Sequence, residues 1–131
     1  MIVDTSALVA ILRDEPEARR FAIALANAQE RRISAANFLE AASVIDGSRD
    51  PVASRLFDDL LRESRIHIET VTEEQVRIAR EAYRDFGRGS GPAAALNFGD
   101  CFAYALARTS GEALLFKGRE FTHTGISVAT F

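Results

Sequence analysis

The chain has a single cysteine, Cys101, so it can form no internal disulfide and its redox compartment is left open. It also lacks a basic excess: 16 lysines and arginines stand against 19 aspartates and glutamates, a formal net charge of -3. That balance argues against a passive nucleic-acid binder. It leaves room for carboxylates clustered around a divalent cation, because such a site is less negative when filled than its formal count. There is no run of about 18 apolar residues to span a bilayer and no basic region of the signal-peptide kind at the start. No membrane role and a cytoplasmic location are therefore expected. Internal repeats, low-complexity tracts and linkers are missing too.

What is present is ordinary for a folded protein. Of 131 residues, 47% are hydrophobic and 27% charged, so one domain spanning residues 1–131 is expected. A chain of this size buries roughly two thirds of the surface its unfolded form exposes.

Patterning predicts alternating strands and helices. Met1 to Val3 reads as a short buried strand and Thr5 to Leu12 as an apolar helix. A second helix is expected from Glu17 to about Glu30, a strand from Arg32 to Ala35, and a helix from Asn37 to Asp46. After the turn at Gly47 to Pro51, a helix runs to about Arg65 with Leu56, Phe57, Leu60 and Leu61 inward. His67 to Val71 reads as a strand, and Thr72 to Gln75 as a capping-box start for a helix ending near Phe86. The segment "GRGSGPAAAL" is the only glycine-rich stretch. Phe98 to Arg108 is then helical, with strands at Ala113 to Phe116 and Ile126 to Ala129. This alternation predicts an α/β fold with a mainly parallel sheet, in which ligands bind at the carboxyl ends of the strands.

Three acids stand alone in apolar company. Asp4 lies in "IVDTSALVAIL", Glu40 in "ISAANFLEAASVI" and Asp100 in "PAAALNFGDCFAYALA". A single buried acid is commonly a helix cap or a hydrogen-bonded core group, but a buried carboxylate costs several kcal/mol unless paired or neutralised. These three segments carry no basic residue, so three acids need a shared explanation. A hard cation such as Mg²⁺ or Mn²⁺ supplies one, since it prefers oxygen ligands and keeps several waters. The Thr5 and Ser6 hydroxyls and the Asn97 amide can hold such waters or orient the acids. Asn97 lies three residues before Asp100 and can share its helix face, and Asn37 stands in the same relation to Glu40.

The stretches "VDTSALVAIL", "SAANFLEAASVI", "LNFGDCFAYALA" and "LLFKGREFTHTGI" together resemble the PIN-domain toxins of bacterial VapBC toxin–antitoxin systems, over essentially the whole chain. The resemblance implies a Rossmann-like α/β/α sandwich, Mg²⁺- or Mn²⁺-dependent endoribonuclease activity, an RNA substrate, a homodimer, and a small VapB-type antitoxin bound across the active site. By position it implies Asp4, Glu40 and Asp100 as the principal metal-site acids and Thr5 or Ser6 as the helper hydroxyl. Many members carry a further aspartate shortly before the phenylalanine matching Phe121, where this chain has Gly118 and Arg119. Glu120 is the nearby carboxylate that can serve, so Asp4, Glu40, Asp100 and Glu120 form the expected catalytic set.

Metal-assisted hydrolysis would leave 5′-phosphate and 3′-hydroxyl ends. Arg13, Arg84, Arg88, Lys117 and Arg119 are the candidate RNA contacts, with Arg88 in a loop able to clamp a strand. Cys101 is read as a small core side chain, and His67 and His123 as surface or hydrogen-bonded residues. Phe38, Phe98, Phe102 and Tyr104 occur at core-like spacing and need no stacking role, although Tyr104, four residues past Asp100, can also face the same cleft. Two alternatives remain at this point: a weakened PIN domain that mainly binds its antitoxin, and a phosphatase using Asp4 as a covalent nucleophile. The latter family usually has a second aspartate where this chain has Ser6.

Overall fold

The computed structural model describes residues 1–130. Strand β1 (Ile2–Val3) leads into α1 (Thr5–Leu12), whose N-cap is Asp4. After α2 (Ala18–Asn27) comes β2 (Arg31–Ser34), and Ser34 caps α3 (Ala35–Asp46). Asp50 caps α4 (Pro51–Glu63), with Pro51 in the first turn where its missing N–H costs nothing. Strand β3 (Ile66–Glu69), α5 (Glu73–Phe86), α6 (Phe98–Ser110) and β4 (Leu114–Leu115) complete the chain.

The sheet has the order β3-β2-β1-β4 and every pair is parallel. Successive residues of a strand point to opposite faces, and even the two-residue strands obey this. Val3, Ile33 and Leu115 enter one core with α1 to α4, whereas Ile2 and Leu114 enter a second core with α5 and α6. The result is the expected α/β/α sandwich. From β1 the chain builds outward through β2 to β3, then crosses the sheet through α5 and α6 to place β4 on the other side of β1. The strand order therefore reverses between β1 and β4, and a crevice opens beyond their carboxyl ends.

Several local expectations change. The second helix stops at Asn27 because Ala28 is extended, and the Arg31 guanidinium donates to the carbonyls of Leu25 and Ala28 at 2.7 and 2.6 Å. The strand at Ile126 to Ala129 reduces to one bridge between Leu114 and Val128, since two-residue β4 offers so little edge to pair with. Thr72 caps α5 by accepting from the Gln75 N–H, but the Gln75 side chain turns to Thr70 O, leaving the capping box half made. Leu56 is exposed on α4. Phe98, expected in the core, is 78% exposed at the first residue of α6, where its ring meets Phe102 edge-on. Tyr104 takes the core place its spacing indicates rather than the crevice: it is buried beside Phe86 and its hydroxyl accepts from Arg108 at 2.8 Å.

Candidate active site

Each lone acid is delivered to the crevice by a different element. Asp4 follows directly on β1, Glu40 stands in the second turn of α3, and Asp100 lies in the first turn of α6. Glu120 arrives on the loop after β4. All four line one cleft of about 520 Å³, together with Thr5, Ser6, Asn97, Arg13 and Lys117. A larger concavity, about 920 Å³, lies at the other end of the strands, where Arg32 is already tied to Glu30, Glu69 and Glu112.

Asp4 and Asp100 are both helix-capping acids, and this explains one oxygen of each. Asp4 Oδ2 accepts from the Ser6 N–H at 3.0 Å and the Ser6 hydroxyl at 2.6 Å, while Ser6 Oγ accepts from the Lys117 N–H at 2.9 Å. Asp100 and Asn97 form a reciprocal capping box: the Asn97 N–H donates to Asp100 Oδ2 at 2.9 Å, and the Asp100 N–H to Asn97 Oδ1 at 2.8 Å. Capping does not account for the rest. Asp4 Oδ1 is buried without a hydrogen-bond partner, which a stable fold tolerates only at a cost.

Glu40 is held from two sides. Its Oε1 accepts from the Thr5 hydroxyl at 2.5 Å and from the Asn37 amide at 3.3 Å. Its Oε2 lies so close to Gly99 that a Cβ there would approach to 2.1 Å. Glu120 is seated in a similar way over Gly118, whose φ of +109° and missing Cβ let the loop bend beneath the carboxylate.

The charges feel one another. Burial pushes the Asp4 carboxyl up to about 6, against the pull of its Ser6 hydrogen bonds, with added repulsion from Glu40 and Glu120. Burial likewise raises Asp100 to about 7, and Asp4, Glu120 and Glu40 raise it further. The Cys101 thiol is pushed up to about 11 by burial and by Asp100; its sulfur donates to Asn97 O, so it behaves as a core group.

Among the described residues, no three acidic, histidine or cysteine side chains are already closed around a single point. Mg²⁺ does not require such a cage, since one or two carboxylates with waters and substrate oxygens suffice. The orphaned Asp4 Oδ1, the raised carboxyls and the all-oxygen donor set fit a hard cation.

The five basic candidates separate. Arg13 and Lys117 line the cleft, although the Lys117 ammonium is paired with Glu15 at 2.6 Å and Glu17 at 3.3 Å. Arg84, Arg88 and Arg119 do not line it. Arg84 pairs with Asp85, and Arg88 sits at the base of a loop pinned by the Gly87–Leu96 bridge. The sequence pointed to Asn37 through its interval to Glu40 without giving it a role in the site, and it gave no role to Gly99 and Gly118 as spacers, for which a glycine directly preceding Asp100 was the only signal.

Residues 1–126 match the PIN domain family. The chain is 59% identical over 129 residues to Ribonuclease VapC28 of Mycobacterium tuberculosis, covering 98% of this chain and 97% of that protein. It is 48% identical to Ribonuclease VapC42 of the same species, with 98% of each covered. Among solved structures, Mycobacterium tuberculosis VapC20, described as a sarcin-ricin loop cleaving toxin, superposes with a TM-score of 0.73 at 16% identity over 95% of each chain. A toxin-antitoxin complex from Klebsiella pneumoniae gives 0.71 at 16% identity, over 95% of this chain and 92% of that one. At such identity these two structures speak to the fold. The full-length identity to named ribonucleases carries the closer kinship, and the chain belongs to the VapC ribonucleases of the PIN-domain family.

Proposed function

We propose that this protein is the toxin of a type II toxin–antitoxin pair: an endoribonuclease that hydrolyses RNA phosphodiester bonds and thereby inhibits translation or growth. The observation that carries the proposal is the convergence of Asp4, Glu40, Asp100 and Glu120 on the crevice beside β1, with one oxygen of Asp4 left unpartnered.

Asp4 and Asp100 would hold Mg²⁺ or Mn²⁺, with Glu40 as a further ligand or the group that orients water. A bound divalent cation supplies Lewis-acid polarisation of the phosphate and a hydroxide-like water at neutral pH. The chain's own part is placement. Ser6 fixes the Asp4 carboxylate, Asn97 fixes Asp100, and Thr5 keeps Glu40 turned inward. Water attacks phosphorus and its released proton passes toward Glu40 or Glu120, while the bond to the ribose 3′ oxygen breaks and that oxygen takes up a proton from solvent. The products carry 5′-phosphate and 3′-hydroxyl ends. A 2′,3′-cyclic phosphate product would overturn this route, because it requires attack by the ribose 2′ hydroxyl. Phosphate contacts fall first to exposed Arg13 at the cleft, then to Lys117, with Arg84, Arg88 and Arg119 farther along a bound strand.

A VapB-type antitoxin is the proposed partner. Leu39, Val44 and Leu56 expose apolar surface on α3 and α4, and Val44 borders the acidic cleft, which suits an amphipathic segment ending in a basic side chain. A homodimer is also proposed, for which exposed Val76, Tyr83 and Phe98 on α5 and α6 offer an apolar face. Cleavage of a cellular RNA pool with Mg²⁺, Mn²⁺ or EDTA, with end-group analysis, tests the activity, and ultracentrifugation tests the dimer.

A further inference from the structure

Asn37 is the one fully buried amide in the structure's described residues, at 0% exposure, and its position in an apolar helix is otherwise unexplained. Its Nδ2 has two protons and both are used. One goes to Gly99 O at 2.9 Å, in the first turn of α6, and the other to Glu40 Oε1 at 3.3 Å. Thr5, adjacent to Asp4, donates to the same Glu40 oxygen and lies 3.1 Å from the Asn37 carbonyl. Gly99 closes the far side of the Glu40 carboxylate and immediately precedes Asp100. Asn37 thus ties the helix bearing Glu40 to the helix bearing Asp100, at the point where the two acids must keep register.

A bland role is available: a buried amide can simply satisfy a helix carbonyl and bind two helices together. Two features go beyond that. The amide spends its second proton on a carboxylate of the cleft, and its own Oδ1 is buried without a partner. A purely structural bridge between α3 and α6 needs neither, and an apolar contact would avoid the orphaned oxygen.

We infer that Asn37 is a positioning residue for the cation site: it sets the direction of the Glu40 carboxylate relative to Asp100 and so tunes divalent-cation affinity through Glu40. This rests on the proposed cation-dependent reading of the cleft. Asn37 touches no substrate and acts only through its neighbour. Groups in this outer position change metal affinity by about 10- to 100-fold when removed.

The test measures Mn²⁺ affinity of the full chain by electron paramagnetic resonance, with no RNA present. Asn37→Ala is expected to bind Mn²⁺ about tenfold more weakly than the unsubstituted protein. Glu40→Gln should weaken binding too, and Asn37→Ala added to Glu40→Gln should produce little further loss, the non-additivity expected of a residue acting through another. Ile45→Val, a core change on the same helix, should lower the melting temperature without altering Mn²⁺ affinity. If Asn37→Ala fails to fold, Gly99→Ala reads the same device, since its Cβ pushes the Glu40 carboxylate away while leaving Asn37 intact.

Unchanged Mn²⁺ affinity in folded Asn37→Ala or Gly99→Ala would overturn the inference, as would full additivity with Glu40→Gln. Failure of the ribonuclease reading looks different: the unsubstituted protein would bind Mn²⁺, with Asn37 affecting it as described, yet cut no RNA. An unsubstituted protein that binds no Mn²⁺ would sink both.

Discussion

Gly118 lies directly beneath Glu120: a Cβ at Gly118 would stand 2.2 Å from Glu120 Oε2. The loop therefore has room for the Glu120 carboxylate in the cleft because Gly118 has no side chain. The loop combines this glycine with a glutamate two residues later, whose carboxylate lines the cleft and adds to the repulsion felt by Asp4 and Asp100.

Gly118→Ala should accordingly do two things. The φ of +109° strains any residue with a Cβ, at a cost of about 1–2 kcal/mol, and the new methyl displaces Glu120. Reduced thermal stability together with reduced cleavage is expected. Glu120→Gln, which leaves the backbone alone, should reduce cleavage without the stability loss, and equal cleavage in Glu120→Gln and the parent would remove Glu120 from the reaction.

The raised carboxyls predict how stability changes with pH. Asp4 and Asp100 have folded values of about 6 and about 7, above their ordinary 3.8. Between those limits the native state holds protons that the unfolded chain has released, so these groups weaken the fold as pH rises through the interval. Chelator-treated protein should therefore melt at a higher temperature at pH 5.5 than at pH 8, and added Mg²⁺ should stabilise it more at pH 8. A pH-independent response to Mg²⁺ in differential scanning calorimetry would contradict this.

Asp4→Asn separates fold from function. Asparagine caps a helix about as well as aspartate, so α1 should persist. Removing a buried charge whose carboxyl is pushed up to about 6 should raise cation-free stability at pH 8 by about 1–3 kcal/mol, while cleavage falls about 100-fold or more. Denaturant unfolding checks the first and RNA cleavage the second.

Arg13 and Lys117 are expected to differ although both line the cleft. Lys117 already holds Glu15 and Glu17 and is partly exposed, so Lys117→Ala should change stability little and have a small effect on RNA affinity. Arg13→Ala should weaken RNA binding more and flatten its salt dependence. Fluorescence anisotropy with a catalytically disabled Asp100→Asn background measures both, and a larger loss for Lys117→Ala would reverse the assignment.

The backbone scheme was legible because its signals are local. The apolar run after Asp4, the Pro51 start of α4 and the turn before it mark element ends within a few residues. The isolated acids were legible for a related reason: Asp4, Glu40 and Asp100 stand out only against apolar neighbours. Asn37 and Gly99 gave little signal, since their meaning lies in a contact between residues 62 apart in sequence. Tyr104 was legible as core from its spacing, and Phe86 covers it, while its interval from Asp100 allowed a place in the cleft that it does not take. Phe98 misled, as its aromatic character and spacing indicate burial while at the first residue of α6 it is left exposed.

The most direct test incubates purified, antitoxin-free protein with total cellular RNA in Mg²⁺, Mn²⁺ or EDTA, beside folded Asp4→Asn and Asp100→Asn variants, and maps the ends of every product. The account predicts cation-dependent cuts bearing 5′-phosphate and 3′-hydroxyl ends that vanish in EDTA and in both variants. Undiminished cutting in EDTA, or in either variant, would contradict it.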